Sequence, residues 1–481
     1  LETGSLIDFG WGNEELNNAQ RYDVVVIGGG PGGYVAAIRA AQLGNSVAIL
    51  EKDALGGVCL NWGCIPTKSL LYDSEVFHLV KNADKYGIEI SGYKFDIKAS
   101  VERSRKVAKR LSKGVEYLMK KNRIRYIRGS GFLKSPHEVQ VTDVKGNPSV
   151  IESKFIVLAT GARNRDIPGL EVDGKRVISS KEALSLEKVP ERMIMIGAGA
   201  IGVEFACLFN EYGTEVHLIE MLPQILPQED EEVSAMLAKL FEQRGITIRT
   251  STFVEKIESL KTKVKVHVSS GNESEVLEGD IALVAIGVQG NVEDLGLEKT
   301  GIEVEKGWIK VNDYYETSIQ GIYAIGDVIG PPWLAHVASA EGRVAAEHFS
   351  GKNPQPVNYN NIPSCVYSRP PVASIGKTEK GALKAGYNIK VGRFPMRASG
   401  KAMVQGESDG MVKVVFDAKY GALLGCHIIG SEATELIAEI GVARTLETTY
   451  EEILQTVHAH PTISETIMEA VAEAYGEAIH I

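Results

Sequence analysis

The sequence predicts an α/β chain built from two Rossmann-like folds and a C-terminal α+β module. Three observations lead there. A strand–glycine turn–helix–strand unit occurs twice, and a tight cysteine pair follows the first copy. After about Val357 the pattern changes to short apolar segments alternating with acidic helices.

The length of 481 residues already requires several cores, since one core rarely grows past about 250–300 residues. A hydrophobic fraction of 44% with 24% charged residues is ordinary for a globular chain. No apolar run approaches the roughly 20 residues of a membrane span. The net charge of −10 argues against a nucleic-acid binder, which needs a basic face. Residues 431–481 carry ten glutamates, no aspartate and a single Lys or Arg, Arg444. That tail is either a solvated helix face or an acidic patch for a basic partner. The first 20 residues lack signal-peptide and transit character and are expected to form a polar leader.

In the first repeat, the strand Tyr22–Ile27 leads into Gly28-Gly-Gly30-Pro-Gly-Gly33, and an Ala-rich helix runs to about Leu43. The strand Ser46–Leu50 then ends on Glu51. In the second repeat, Arg192–Ile196 leads into Gly197-Ala-Gly199-Ala-Ile-Gly202, a helix runs to about Tyr212, and a strand ends on Glu220. Each acidic endpoint lies 23 positions after the first glycine. This is the dinucleotide fingerprint. Its first glycine permits the tight turn, the second lets backbone approach a pyrophosphate, and the third lets helix and strand pack closely. The helix N-terminus then faces the phosphates with its free N–H groups. A carboxylate ending the second strand accepts from ribose hydroxyls, so Glu51 and Glu220 favour an unphosphorylated ribose. Glu220 is followed by Met221, Leu222 and Pro223, without the basic residues an NADP site wants. The second site therefore reads as NAD, and the first, joined to the cysteines, as FAD.

Between and beyond the copies, Lys98–Asn122 has helical periodicity and strand-like segments run through Phe155–Leu158. A helix is expected near Glu229–Arg244 and alternating strands around Lys263–Val268. Ile281–Ile286 and Ile322–Ile325 read as strands returning to a sheet, and Val372–Ile375, Met411–Phe416 and Leu423–Ile429 as strands of the last module.

Five cysteines in this length are no secreted disulfide framework. Cys59 and Cys64, four residues between them, suit neither a zinc knuckle nor a thioredoxin-type pair, and no metal is expected. Pro66 as an early helical residue would put Cys64 near a helix N-terminus, where the dipole favours thiolate. Cys207, Cys365 and Cys426 are expected to be inert core residues. A reducing compartment, the cytoplasm or an organelle matrix, fits this usage.

The run Cys59-Leu-Asn-Trp-Gly-Cys64-Ile-Pro-Thr-Lys68 resembles the pyridine nucleotide–disulfide oxidoreductase family, class I. The similarity covers about residues 21–481. It extends to Ala159-Thr-Gly-Ala-Arg163, Ala324-Ile-Gly326-Asp327-Val, Ala335–Gly342 and His458-Ala-His460-Pro-Thr-Ile-Ser-Glu465. The resemblance implies an FAD-binding domain at 21–158, an NAD-binding domain at 159–286 and a central domain at 287–356 completing the FAD site. An interface (dimerisation) domain would occupy 357–481. It also implies that Asp327 bonds the flavin ribityl chain and that Lys68 pairs with Glu204 near the flavin. A homodimer is implied in which His460 reaches the Cys59–Cys64 site of the other subunit.

A thiol attacking a disulfide must lose its proton, and a free thiol of pKa about 8.5 is mostly protonated at neutral pH. A histidine base oriented by a carboxylate solves this. His460, placed before Pro461, with Glu465 following, is the candidate couple. The activity implied is FAD-dependent oxidation of dihydrolipoamide with reduction of NAD+. Lipoyl domains and the acyltransferase core of a 2-oxo acid dehydrogenase complex would be the partners. A glutathione reductase-like enzyme would want basic residues after Glu220. Mercuric reductase and the large thioredoxin reductases carry late cysteines, and none follows Cys426. NADH oxidases of the family use one cysteine rather than a pair. A non-catalytic flavoprotein scaffold would not need Cys59, Cys64, His460 and Glu465 together.

Overall fold

The computed structural model describes Gln20–Ile481. The leader expected at 1–20 thus lies outside the described residues, save Gln20, which opens the first strand. The chain folds as two compact units. Among the described residues, one gathers those from Gln20 to Gly57, Leu111–Arg163 and Gln289–Val357; the other gathers Val58–Arg110, Asn164–Val288 and Asn358–Ile481.

The first unit is organised by a six-stranded sheet. Its parallel part runs Arg125–Ser135, Val47–Glu51, Gln20–Ile27, Pro148–Leu158 and Ile322–Ala324. Glu138–Asp143 pairs antiparallel to both long strands. Val24, Val25 and Val26 are fully buried, as expected of a β-branched run covered on both faces. The strand expected from Ser46 starts at Val47. Ser46 instead cross-ties to Asp23, its hydroxyl and backbone N–H both donating to that carboxylate (2.7 and 2.9 Å). The helix Pro31–Gln42 starts with proline and buries Ala36, Ala37 and Ala40. It packs against the helix Ala335–Phe349 so closely that a Cβ on Gly342 would lie 2.6 Å from the Gly32 carbonyl oxygen.

The second unit holds the repeat of this fold. Thr247–Arg249, Glu215–Ile219, Arg192–Ile196, Ile281–Val284 and Val177–Ile178 form a five-stranded parallel sheet. Phe253–Ser259, Val264–Ser270 and Glu273–Gly279 form an antiparallel sheet beside it in sequence. A five-stranded antiparallel sheet follows, in the order Ser364–Val366, Val372–Gly376, Leu423–Ile429, Met411–Asp417 and Ile389–Pro395. Its core is built from Val412, Val414, Phe416, Cys426 and Ile428 of the strands with Ile437, Ile440, Ile467 and Val471 of the helices. No described helix is long and apolar enough to cross a membrane.

Candidate functional site

Both glycine turns obey the same steric logic. Gly28 has φ +109°, and a Cβ there would sit 2.1 Å from the Ala159 oxygen; Gly197 has φ +97° and would meet the Ala285 oxygen at 2.5 Å. A Cβ on Gly33 or Gly202 would lie 1.9 Å from the carbonyl oxygen of Gly28 or Gly197. The middle glycines differ. Gly30 and Gly199 cap their helices in ordinary extended conformations. The nearest atom to a Cβ on Gly30 is 4.0 Å away, and nothing lies within 4 Å at Gly199. At these two positions the fold does not require glycine. The open space above each helix N-terminus fits the passage of a pyrophosphate.

The acidic endpoints do more than expected. Glu51 Oε2 accepts from the Gly29 N–H (2.8 Å) and Oε1 from the Asp53 N–H (2.8 Å). Glu220 repeats this with the N–H groups of Ala198 (2.8 Å) and Leu222 (2.9 Å). Each carboxylate fastens its own glycine turn, and each oxygen keeps a lone pair for a ribose hydroxyl. The nearby guanidinium of Arg249 is paired with Glu275 at 2.5 Å. Asp327 sits in a short 3₁₀ turn in the first unit. Burial, with the charge of Glu341, pushes its pKa up to about 6.

Cys59 lies within the short helix Gly57–Trp62, and Cys64 opens the helix Cys64–Lys81. Gly63 between them caps the second helix without a side chain, and Pro66 falls in its first turn. Cys64 therefore stands at free helical N–H groups, as expected. Its thiol pKa is lowered, first by the hydrogen bond from Cys59 and then by the charge of Lys68 and its own backbone. These outweigh burial and the charge of Glu204. The other three cysteines go the opposite way: burial pushes Cys207 and Cys365 up to about 11 and raises Cys426 further.

Lys68, one turn beyond Cys64, donates to both oxygens of Glu204 (2.7 and 2.8 Å). Glu204 also accepts from the Tyr367 N–H at 3.1 Å, and Lys68 Nζ stands 4.5 Å over the Tyr367 ring. The same helix pair is tied again at Glu211, which accepts from His78 and Lys81, both at 3.0 Å. The Trp62 ring meets the cations of Arg105 (4.8 Å) and Lys181 (4.9 Å), while Arg105 donates to the Asn61 carbonyl at 2.7 Å.

His460 Nδ1 is 2.9 Å from Glu465 Oε1, and Glu465 Oε2 accepts the Thr462 N–H at 2.9 Å. The His460–Pro461 bond is cis. Burial works against the Glu465 carboxylate, but the Thr462 N–H and His460 outweigh it and lower its pKa. The imidazole is 78% exposed, with Nε2 left for a proton acceptor's task. His458 is a packing residue instead, its Nε2 2.9 Å from Glu439.

The family model for pyridine nucleotide-disulphide oxidoreductases matches residues 22–342, and the model of that family's dimerisation domain matches residues 362–471. The chain belongs to this family. A dihydrolipoyl dehydrogenase of Zymomonas mobilis is 48% identical over 96% of this chain and all of its own length. The one of Bacillus subtilis is 44% identical over 96% of the chain, again over its full length. Among solved structures, LpdA from Mycobacterium tuberculosis superposes with a TM-score of 0.88 at 27% identity, covering 94% of this chain and 99% of its own. The flavoprotein disulfide reductase RclA from Escherichia coli gives 0.83 at 26%, with the same coverage. As a member of the family the chain is an oxidoreductase that uses FAD and NAD.

The clamps on Gly29 and Ala198, the Tyr367 contacts and the cations at Trp62 leave no trace in the sequence. Tyr367 lies 163 residues from Glu204 and bonds it through a backbone N–H, which carries no residue signature. Trp62 could have been flagged by its place between the cysteines; its cationic partners could not.

Proposed function

We propose that the chain oxidises dihydrolipoamide to lipoamide and reduces NAD+, with Cys59 and Cys64 cycling between disulfide and dithiol. The observation that carries this reading is the asymmetry of the pair: Cys64 opens the helix Cys64–Lys81 and its pKa is lowered by the Cys59 hydrogen bond and the Lys68 charge, whereas Cys59 lies inside the short helix Gly57–Trp62. Cys64 is then the sulfur able to leave as thiolate, and Cys59 the one that exchanges with substrate. His460 of the partner subunit, held by Glu465, takes a proton from one substrate thiol. The thiolate attacks Cys59, the Cys59–Cys64 bond breaks, and Cys64 takes the electron pair. The second substrate thiol attacks the mixed disulfide, releasing lipoamide and leaving the dithiol with the two electrons. Bound FAD supplies the relay that passes those electrons to NAD+. Lys68 and Glu204 would form the charged pair near the bound flavin, and Asp327 would accept from its ribityl chain.

The assignment of residues 21–158 to FAD, 159–286 to NAD, 287–356 to completion of the FAD site and 357–481 to the interface is part of this proposal. So is docking onto the acyltransferase core of a 2-oxo acid dehydrogenase complex. Six of the ten tail glutamates are exposed, including Glu432, Glu435, Glu451 and Glu452, which supports an acidic docking face. The others are engaged within the fold, as Glu469 is with His480 at 2.5 Å. Steady-state assays with dihydrolipoamide and glutathione against NAD+ and NADP+ test the reading. Dihydrolipoamide with NAD+ should lead each other pair by roughly a hundredfold or more in kcat/KM. A lead for glutathione or NADP+ would refute it.

A further inference from the structure

The five-stranded antiparallel sheet carries a transverse row of polar residues. Ser364 is in register with Ser374, Ser374 with His427, His427 with Lys413 and Lys413 with Arg393, one residue from each strand. Cross-strand partners share a face. This face is buried at its centre, with Lys413 and His427 each only 1% exposed. Such a row is costly in a core unless charged groups cover it.

What covers it is the start of the helix Glu231–Gln243. Ser364 Oγ donates to Glu229 at 3.1 Å. Lys413 Nζ donates to Asp230 and Glu232, both at 2.8 Å. Arg393 donates twice to Glu232 (2.8 and 2.6 Å), and Glu379 joins at 2.8 Å from both Lys413 and Arg393.

The same acidic segment leads back to the second glycine turn. The Ala198 N–H is held by Glu220, and its carbonyl oxygen accepts from the Leu226 N–H at 2.8 Å. The first turn is clamped in the same way: the Gly29 N–H donates to Glu51, and its carbonyl accepts from the Gly56 N–H at 2.8 Å. Both clamping residues are left-handed, Gly56 at φ +95° and Leu226 at φ +45°. Glycine adopts that region freely; leucine does so only where its surroundings impose it. The surroundings are explicit here. The Leu226 oxygen accepts from the Glu229 N–H at 2.9 Å, Gln224 spans to the Glu229 oxygen at 3.1 Å, and Ser234 Oγ bonds the Ile225 oxygen at 2.6 Å.

We propose that the polar row and its acidic cover are positioning residues for the second glycine turn. By anchoring Glu229–Glu232 they hold Leu226 against Ala198, and so set the turn that receives the NAD+ pyrophosphate. This rests on the reading of that turn as the NAD+ site. The test is steady-state kinetics of the flavin-loaded enzyme carrying Asp230→Asn, with dihydrolipoamide and NAD+ varied in turn. KM for NAD+ should rise roughly tenfold while kcat, KM for dihydrolipoamide and bound flavin stay within about twofold. Lys413→Arg, which keeps the charge, should avoid most of the rise in KM for NAD+ that Lys413→Met produces. An unchanged KM for NAD+ overturns the proposal, as does a joint loss of kcat and flavin, which would mark a merely structural role. If Asp230→Asn does not fold, Gln224→Ala carries the test, because this half-buried residue braces the segment without leaving a charge uncovered. It should raise KM for NAD+ in the same direction, and no rise overturns the idea. Glu220→Ala separates the two failures: if it too leaves KM for NAD+ unchanged, the NAD+ reading of the turn falls first.

Discussion

At the residue scale the chemistry depends on favouring the thiolate of Cys64. Lys68 contributes to that and also compensates Glu204, whose carboxylate is only 6% exposed. Replacing Lys68 with Met leaves Glu204 with the Tyr367 N–H alone, so stability should fall by about 3–5 kcal/mol in denaturant titrations. The Cys64 thiolate, followed by its ultraviolet absorbance in the reduced enzyme, should form at higher pH in that variant. A thiol pKa indifferent to the change would remove Lys68 from the site. Asp327 gives a pH signature of opposite sign. Its pKa in the protein is about 6, so it is a carboxylate acceptor above that pH and a neutral acid below it. FAD affinity of the apoprotein should therefore fall as pH drops through about 6, by up to about tenfold per unit. Asp327→Asn should flatten the profile, read by flavin fluorescence. These two carboxylates show where sequence stops. Glu51 and Glu220 were legible from spacing, whereas the partner of Lys68 came only with the family resemblance, and the burial that raises Asp327 has no local trace.

At the element scale the glycine turns separate two reasons for glycine that look identical in sequence. Gly33 and Gly202 are excluded volume: a Cβ would lie 1.9 Å from backbone. Gly33→Ala should cost about 3 kcal/mol or more and yield little folded protein. Gly30 meets nothing nearer than 4.0 Å, so Gly30→Ala should fold with near-native circular dichroism and yet bind FAD poorly. Comparable stability losses in both variants would contradict this division of labour. The helix and strand limits were legible to within a few residues because the apolar runs are long and both turns are punctuated by glycine. The clamps behind the turns were not. They use backbone N–H groups, and one of them needs a left-handed leucine, a conformation the residue type itself argues against.

At the scale of the whole molecule, the expected layout of two nucleotide folds and a C-terminal sheet module is what the chain adopts. The transverse polar row in that last sheet was invisible beforehand. It requires the register of five strands, and Ser364, Ser374, His427, Lys413 and Arg393 share no spacing that would reveal it. The acidic tail was legible as charge but only partly as surface: the pairing of Glu465 with His460 was expected, whereas Glu439 and Glu469 turn out to hold His458 and His480. If the exposed remainder docks a basic binding domain, calorimetric affinity should weaken steeply with added salt over a Debye-length change of about 10 to 5 Å, and Glu435→Lys should weaken it further. Salt-independent binding would point to another surface. If electrons reach NAD+ through the Cys59–Cys64 pair, removing one of its sulfurs must stop turnover. NADH formation from dihydrolipoamide and NAD+ should be lost by roughly a thousandfold or more in Cys59→Ser while bound flavin is retained. A Cys59→Ser enzyme that keeps wild-type turnover would exclude that route for the electrons.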